Sequence, residues 1–239
     1  MKYSEDHFLS GHVLLIDKPL EWTSFQVVNK IRWEIRHQFN LKKIKVGHAG
    51  TLDPLATGLL LICTGKMTKN INTYQAQTKE YTGTITIGHT TPSFDLETAI
   101  TKSFPISHID EQLIHATAKT FLGDIEQYPP LFSAVKKDGK RLYEFARAGE
   151  AVSVEARKVT ISEFEILKID MPSEADNASI NVDFRVVCSK GTYIRSLAND
   201  FGKALDSGAY LSALRRTKIG DFTVDDAITI EAFVDALKD

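Results

Sequence analysis

The chain has 239 residues, 43% of them hydrophobic and 25% charged, and its 29 basic and 31 acidic side chains leave a formal charge of −2. That length can bury a substantial core as one large domain or two small ones, and the longest apolar run, Leu59 to Cys63, is far too short to cross a bilayer. A near-neutral total argues mildly against nucleic acid, and Glu5, Asp6 and His7 before the first apolar stretch argue against a secretory leader, so the cytoplasm is the expected location.

Val13 to Ile16 reads as a short strand that ends at Asp17-Lys18-Pro19. A helix follows, capped by Thr23 or Ser24, with Val27, Ile31 and Ile35 on one face. Residues 47–65, GHAGTLDPLATGLLLICTG, mix glycines, proline and small polar residues with an apolar run, as suits a loop that brings backbone close to a ligand. Tyr81 to Gly88 alternates as a half-solvated strand, and a capped helix is expected from Ser107 onward, with Ile109, Leu113 and Ala116 apolar. Met171 to Ala178 is a polar solvent loop before a second alternating strand, Ile180 to Val186. After Ser189-Lys190-Gly191, Ile194, Leu197, Ala198, Phe201 and Leu205 recur at helical spacing.

Alternating strands favour an antiparallel or mixed sheet with helices against it. Neither GxGxxG nor GxxxxGK[ST] occurs, so a doubly wound nucleotide fold has no support. Cys63 and Cys188 read as buried thiols, and no HxH, HExxH or CxxC spacing suggests a metal ligand.

Charge is unevenly spread. Lys30, Arg32, Arg36, Lys42, Lys43 and Lys45 face only Glu34 within 30–45, and a second basic stretch runs from Lys136 to Arg147, whereas acid collects in 221–239. A locally positive face can hold a phosphate backbone, although solvated helix surfaces would give the same pattern.

Asp53 lies between Leu52 and Pro54 in the glycine-containing loop. A lone aspartate before proline is ordinarily a turn residue, but His48, Thr51 and Asp53 beside an apolar run suggest a partly buried polar cluster that needs partners. Arg195, set among apolar helix positions, is a candidate partner that would favour an ionised carboxylate, or else a solvated first-turn arginine. Tyr81 and Tyr193 are candidate base-stacking rings or core residues. From these ingredients RNA modification, glycoside or nucleoside hydrolysis and noncatalytic RNA binding all remain open.

Six ordered strings narrow the choice: DKPLEWTS at 17–24, GHAGTLDPLATGLLLI at 47–62, KEY at 79–81, PPLFSAVKKDGKRLYEFARAG at 129–149, CSKGTYIRSLANDFG at 188–202 and LRRTKIGDF at 214–222. From Gly11 to about Phe222 the chain resembles the bacterial TruB-type tRNA pseudouridine-55 synthases. The resemblance implies an α+β pseudouridine synthase fold, a mixed, mainly antiparallel sheet flanked by helices with a central active-site cleft. It implies an isomerase that converts uridine 55 of the tRNA TΨC arm to pseudouridine by base flipping, without metal or organic cofactor. Asp53 then matches the catalytic aspartate, Arg195 its partner, and Tyr81 a catalytic ring that packs against the flipped base and is a candidate for moving a sugar or base proton. Tyr193 and Leu214 match pocket residues, His48 a residue that supports the flipped RNA, Lys18 with Pro19 a structural motif near the pocket, and Lys136 a substrate-side motif.

Two departures stand out. Glu21 occupies the glycine position of the usual KPxGxTS pattern, so that turn must tolerate a side chain. Family members commonly carry a C-terminal PUA domain, whereas here a catalytic domain over 1–222 is expected to be followed by a short acidic tail, 223–239. A monomer without an obligate protein partner is expected, acting on tRNA. The rival readings are a pseudouridine synthase with another RNA target, such as a guide-dependent enzyme, and a tRNA-folding chaperone.

Overall fold

The computed structural model describes residues 3–133, 135–137, 139–150, 152–172 and 179–238. Within it the stretch expected as one catalytic domain is divided between two compact units, one drawn from residues up to 81 and from 214 onward, the other from 82–213. In chain order come α1 (Glu5–Ser10), β1 (Val13–Lys18), α2 (Ser24–Gln38), β2 (Val46–His48), β3 (Ala56–Thr64), α3 (Ile71–Ala76) and β4 (Lys79–Ile87). They are followed by β5 (His89–Thr90), β6 (Lys102–Ser103), α4 (Glu111–Thr120), β7 (Gly123–Gln127), β8 (Lys136–Lys137), β9 (Lys140–Arg141) and α5 (Leu142–Ala148). The remainder is β10 (Arg157–Asp170), β11 (Ile180–Cys188), α6 (Ile194–Ala204), β12 (Ala209–Ile219), β13 (Phe222–Thr223) and α7 (Ile230–Lys238). None of the described helices is long and apolar enough to cross a membrane.

In the first unit β3 is the organising strand. β1 runs antiparallel to it from Val13 opposite Cys63 to Lys18 opposite Gly58, and β2 pairs antiparallel with its far end. The Leu214–Arg216 part of β12 pairs parallel with Ala56–Gly58, which makes the sheet mixed. Nearly every β3 side chain is buried, so this strand lacks the alternation that marks a half-solvated one. Thr23 caps α2: its Oγ1 accepts from the Gln26 backbone N at 3.1 Å, and Gln26 Oε1 accepts from the Thr23 N at 2.7 Å. Behind that cap Val27, Val28, Ile31 and Ile35 pack against Leu14, Ile16, Leu60 and Ile62. Each such side chain contributes about 1.5–3 kcal/mol by leaving water.

The segment expected as an acidic tail belongs to this core. Ile230, Phe233 and Leu237, spaced three and four apart, bury one face of α7, while its acidic residues occupy other positions. Before α7, Ile228 donates its N–H to Leu15 O at 3.0 Å and accepts from Asp17 N at 2.9 Å, tying the segment to β1.

In the second unit the strand order is β12-β4-β11-β10-β7, with β10 antiparallel to both β11 and β7. β11 alternates as expected, with Ile180, Val182, Phe184, Val186 and Cys188 buried. β4 does not stay half-solvated: Thr86 is buried, where its hydroxyl meets Asn181 Oδ1 and Ser212 Oγ, both at 2.9 Å. Phe164 forms the hub of an aromatic cluster, with ring centroids 5.5 Å from Phe201, 6.0 Å from Phe184 and 6.3 Å from Phe121. Helix α4 starts later than expected, because Asp110 and not Ser107 caps it, accepting from the Leu113 N–H at 2.7 Å. Both cysteines are buried, and burial pushes the Cys63 thiol up to about 11. Most of the expected solvent loop at 171–178 lies outside the described residues.

Candidate active site

Asp53 is half-buried in the connection between β2 and β3, and neighbours on both sides of it are fixed. The buried Ser24, first residue of α2, grips Leu52 from both ends of its backbone: Oγ accepts the Leu52 N–H at 2.8 Å and donates to the Leu52 carbonyl at 3.1 Å. Pro54 O accepts from the Glu21 N–H at 2.8 Å and from Lys18 Nζ at 3.4 Å. Asp53 O accepts from the Ala56 N–H at 3.1 Å, which closes the turn into β3.

Lys18 is fully buried at the end of β1. Its ammonium is satisfied by carbonyls, those of Pro19 at 2.7 Å and Trp22 at 2.6 Å in addition to Pro54. Burial pushes its pKa down to about 8; the Asp53 charge opposes that shift and the Arg216 charge adds to it. Glu21 adopts a left-handed conformation, φ 66°, so the turn keeps a glycine-type shape although its residue carries a side chain.

His48, at the end of β2, is lowered in pKa by burial, with the Arg216 charge contributing, which keeps a neutral imidazole near physiological pH. Arg216 is itself 1% exposed; it donates from Nε to Leu59 O at 2.8 Å and from Nη2 to Gly50 O at 3.1 Å. Leu214 is half-buried on β12 opposite Ala56. Tyr81, on β4, is 8% exposed. The two residues before it are anchored within the same unit: Lys79 Nζ donates to Gln75 O and Gln77 O, and Glu80 accepts from Thr217 Oγ1 at 2.8 Å and pairs with Lys218 at 3.5 Å.

In the second unit Arg195 is buried in the first turn of α6, which excludes the solvated-arginine reading. Its Nη1 donates to Ser93 O at 3.1 Å and lies 3.5 Å from Asp95 Oδ2, and its Nη2 donates to Phe132 O at 3.0 Å. Tyr193, the residue before α6, has its backbone held by Gln127, whose side chain accepts from Tyr193 N at 2.7 Å and donates to Tyr193 O at 3.0 Å. Lys136 begins β8, which pairs with β9; its side chain lies outside the described residues.

The first unit therefore gathers Asp53, Lys18, His48, Tyr81 and Leu214, and the second holds Arg195 and Tyr193. Ser24, Arg216, Gln127 and Asp95 were not foreseen. Ser24 and Arg216 stand inside matched strings and Gln127 stands two positions before another, so position was the available signal; Asp95 had none.

The description TruB family pseudouridylate synthase (N terminal domain) matches residues 36–194, and tRNA pseudouridylate synthase B C-terminal domain matches 195–239. Over 234 residues, 98% of this chain and 99% of the relative, the sequence is 62% identical to the tRNA pseudouridine synthase B of Flavobacterium johnsoniae. It is 53% identical to that of Phocaeicola vulgatus, covering 95% of this chain and 93% of the relative. Among solved structures, a chain of a Cbf5-Nop10-Gar1 complex is similar at 33% identity with a TM-score of 0.68; 97% of this chain is covered, and it spans 55% of that chain's length.

Proposed function

The chain belongs to the TruB family of pseudouridylate synthases, and on that premise we propose that it isomerises uridine 55 in the TΨC arm of tRNA to pseudouridine, with Asp53 as the catalytic carboxylate. The observation that carries the reading is a convergence. Lys18, Glu21 and Ser24 from one matched string and Arg216 from another all fasten backbone beside Asp53, so sequence segments far apart serve one loop.

In the reaction the bond from C1' to N1 breaks, the uracil turns, and a bond from C1' to C5 forms. The proton lost from C5 is balanced by one gained at N1, so no oxidant, reductant or transferred group is needed. An ionised Asp53 can add to C1' or take a ribose proton on the way to a glycal, and either role demands a carboxylate held at a fixed position. The pairing of Arg195 with Asp53 is part of the proposal, as is packing of the extruded base against Tyr81 and Tyr193. A neutral His48 fills space against the RNA, Leu214 lines the pocket, and Lys136 with its basic neighbours holds phosphate. The protein is proposed to act as a cytoplasmic monomer without metal or organic cofactor.

The test is site-resolved mapping of pseudouridine in unmodified tRNA incubated with purified, chelator-treated protein. Conversion at uridine 55 without any guide RNA is expected. No conversion by folded protein would overturn the assignment. Likeness to Cbf5 chains supports one rival, a guide-dependent enzyme, which would require activity only with a guide RNA present.

A further inference from the structure

Arg216 spends a permanent charge in the core of the first unit, and the way it is held is unusual for a buried cation. Both of its hydrogen-bond acceptors are main-chain carbonyls, Gly50 O at 3.1 Å and Leu59 O at 2.8 Å, and among the described residues no carboxylate forms an ion pair with it. Burying a guanidinium on carbonyl dipoles alone is costly relative to an apolar side chain of similar volume, so stability does not account for it. The two carbonyls bracket Asp53, one three residues before it and the other six after. The backbone of Arg216 is tight against the same segment, for it pairs in register with Gly58, and a Cβ at Gly58 would come within 2.3 Å of Arg216 O.

We propose that Arg216 is a positioning residue for the isomerisation, its guanidinium bridging Gly50 O and Leu59 O so that the loop between them presents Asp53 at a fixed place beside a buried positive charge. The charge is felt there: Arg216 contributes to the lowered pKa of both Lys18 and His48, the cation and the imidazole placed around the loop. The same field that disfavours protons on those groups favours a negative carboxylate on the loop. Glutamine, neutral and shorter, would keep part of the volume but neither the fork nor the charge. Lysine would keep the charge, yet as a compact point cation it cannot reproduce the planar two-acceptor bridge.

The inference rests on the reading of Asp53 as the catalytic carboxylate, and one assay separates the two. Single-turnover pseudouridine formation and tRNA affinity at fixed salt are measured for the wild type, Arg216→Lys and Arg216→Gln, with thermal unfolding on each preparation. The expected result is a loss in rate of about tenfold for Arg216→Lys and about a hundredfold for Arg216→Gln, with affinity within about threefold of wild type, since a misplaced catalytic group costs rate and not binding. If Arg216→Gln does not fold, Arg216→Lys alone decides. A folded variant that turns over at the wild-type rate, a loss confined to tRNA affinity, or failure of both variants to fold would overturn the positioning role and leave a purely structural arginine. Absence of product from the wild type itself would instead remove the underlying assignment.

Discussion

The Ser24 hydroxyl and the Leu52 backbone form a reciprocal pair: the same Oγ accepts from Leu52 N at 2.8 Å and donates to Leu52 O at 3.1 Å. Ser24 thereby couples the first turn of α2 to the residue immediately before Asp53, so the rigidity of a helix packed on the core is passed to the loop. Ser24→Ala leaves a buried N–H without its acceptor, at a cost of about 1–3 kcal/mol. Denaturant unfolding should show that loss. Single-turnover pseudouridine formation should fall about tenfold with tRNA affinity preserved. An unchanged rate in a destabilised protein would make Ser24 a support for the fold alone.

Lys18 offers a pH dependence with a definite sign. Its pKa is about 8 in the folded protein against an ordinary value of 10.5, so between these values the unfolded chain carries the extra proton. The penalty for burying the ammonium is full below pH 8 and is relieved as pH rises toward 10.5. Measured against Lys18→Met across that window, the wild type should gain stability with increasing pH. A pH-independent difference between the two proteins would contradict the burial argument.

Glu21 pays for a glycine-type turn with backbone strain, at φ 66°. A non-glycine residue there costs about 1–2 kcal/mol, and the greater freedom of unfolded glycine returns about 0.5–1 kcal/mol of that. Glu21→Gly should therefore raise stability by about 0.5 kcal/mol, read as a small upward shift in the unfolding midpoint. A fall would show that the Glu21 side chain contributes more than its strain costs.

An element whose apolar residues follow its own period was legible in the sequence. The spacing of Val27, Ile31 and Ile35 gave α2, and the alternation from Ile180 gave β11, because burial there follows the period of the element. β3 hid inside what read as a loop, since a strand buried on both faces has no period. α7 was hidden by its acid: the charges of 221–239 drew attention away from Ile230, Phe233 and Leu237. In the site, motif resemblance picked out Asp53, Arg195 and Lys18, but the other supports were not singled out. Ser24, Arg216 and Gln127 act on backbone atoms of residues remote in sequence, and a main-chain partner leaves no trace in side-chain type.

The most direct measurement is single-turnover pseudouridine formation at uridine 55 by Asp53→Asn, made on a preparation whose thermal unfolding and tRNA affinity at fixed salt are also determined. The amide keeps the size of the side chain but can neither attack C1' nor accept a ribose proton. Binding is distributed over phosphate contacts and stacked bases, so affinity should remain within about threefold of wild type. The expected result is a folded protein that binds tRNA and forms no detectable pseudouridine. A folded Asp53→Asn protein that modifies uridine 55 at close to the wild-type rate would contradict it.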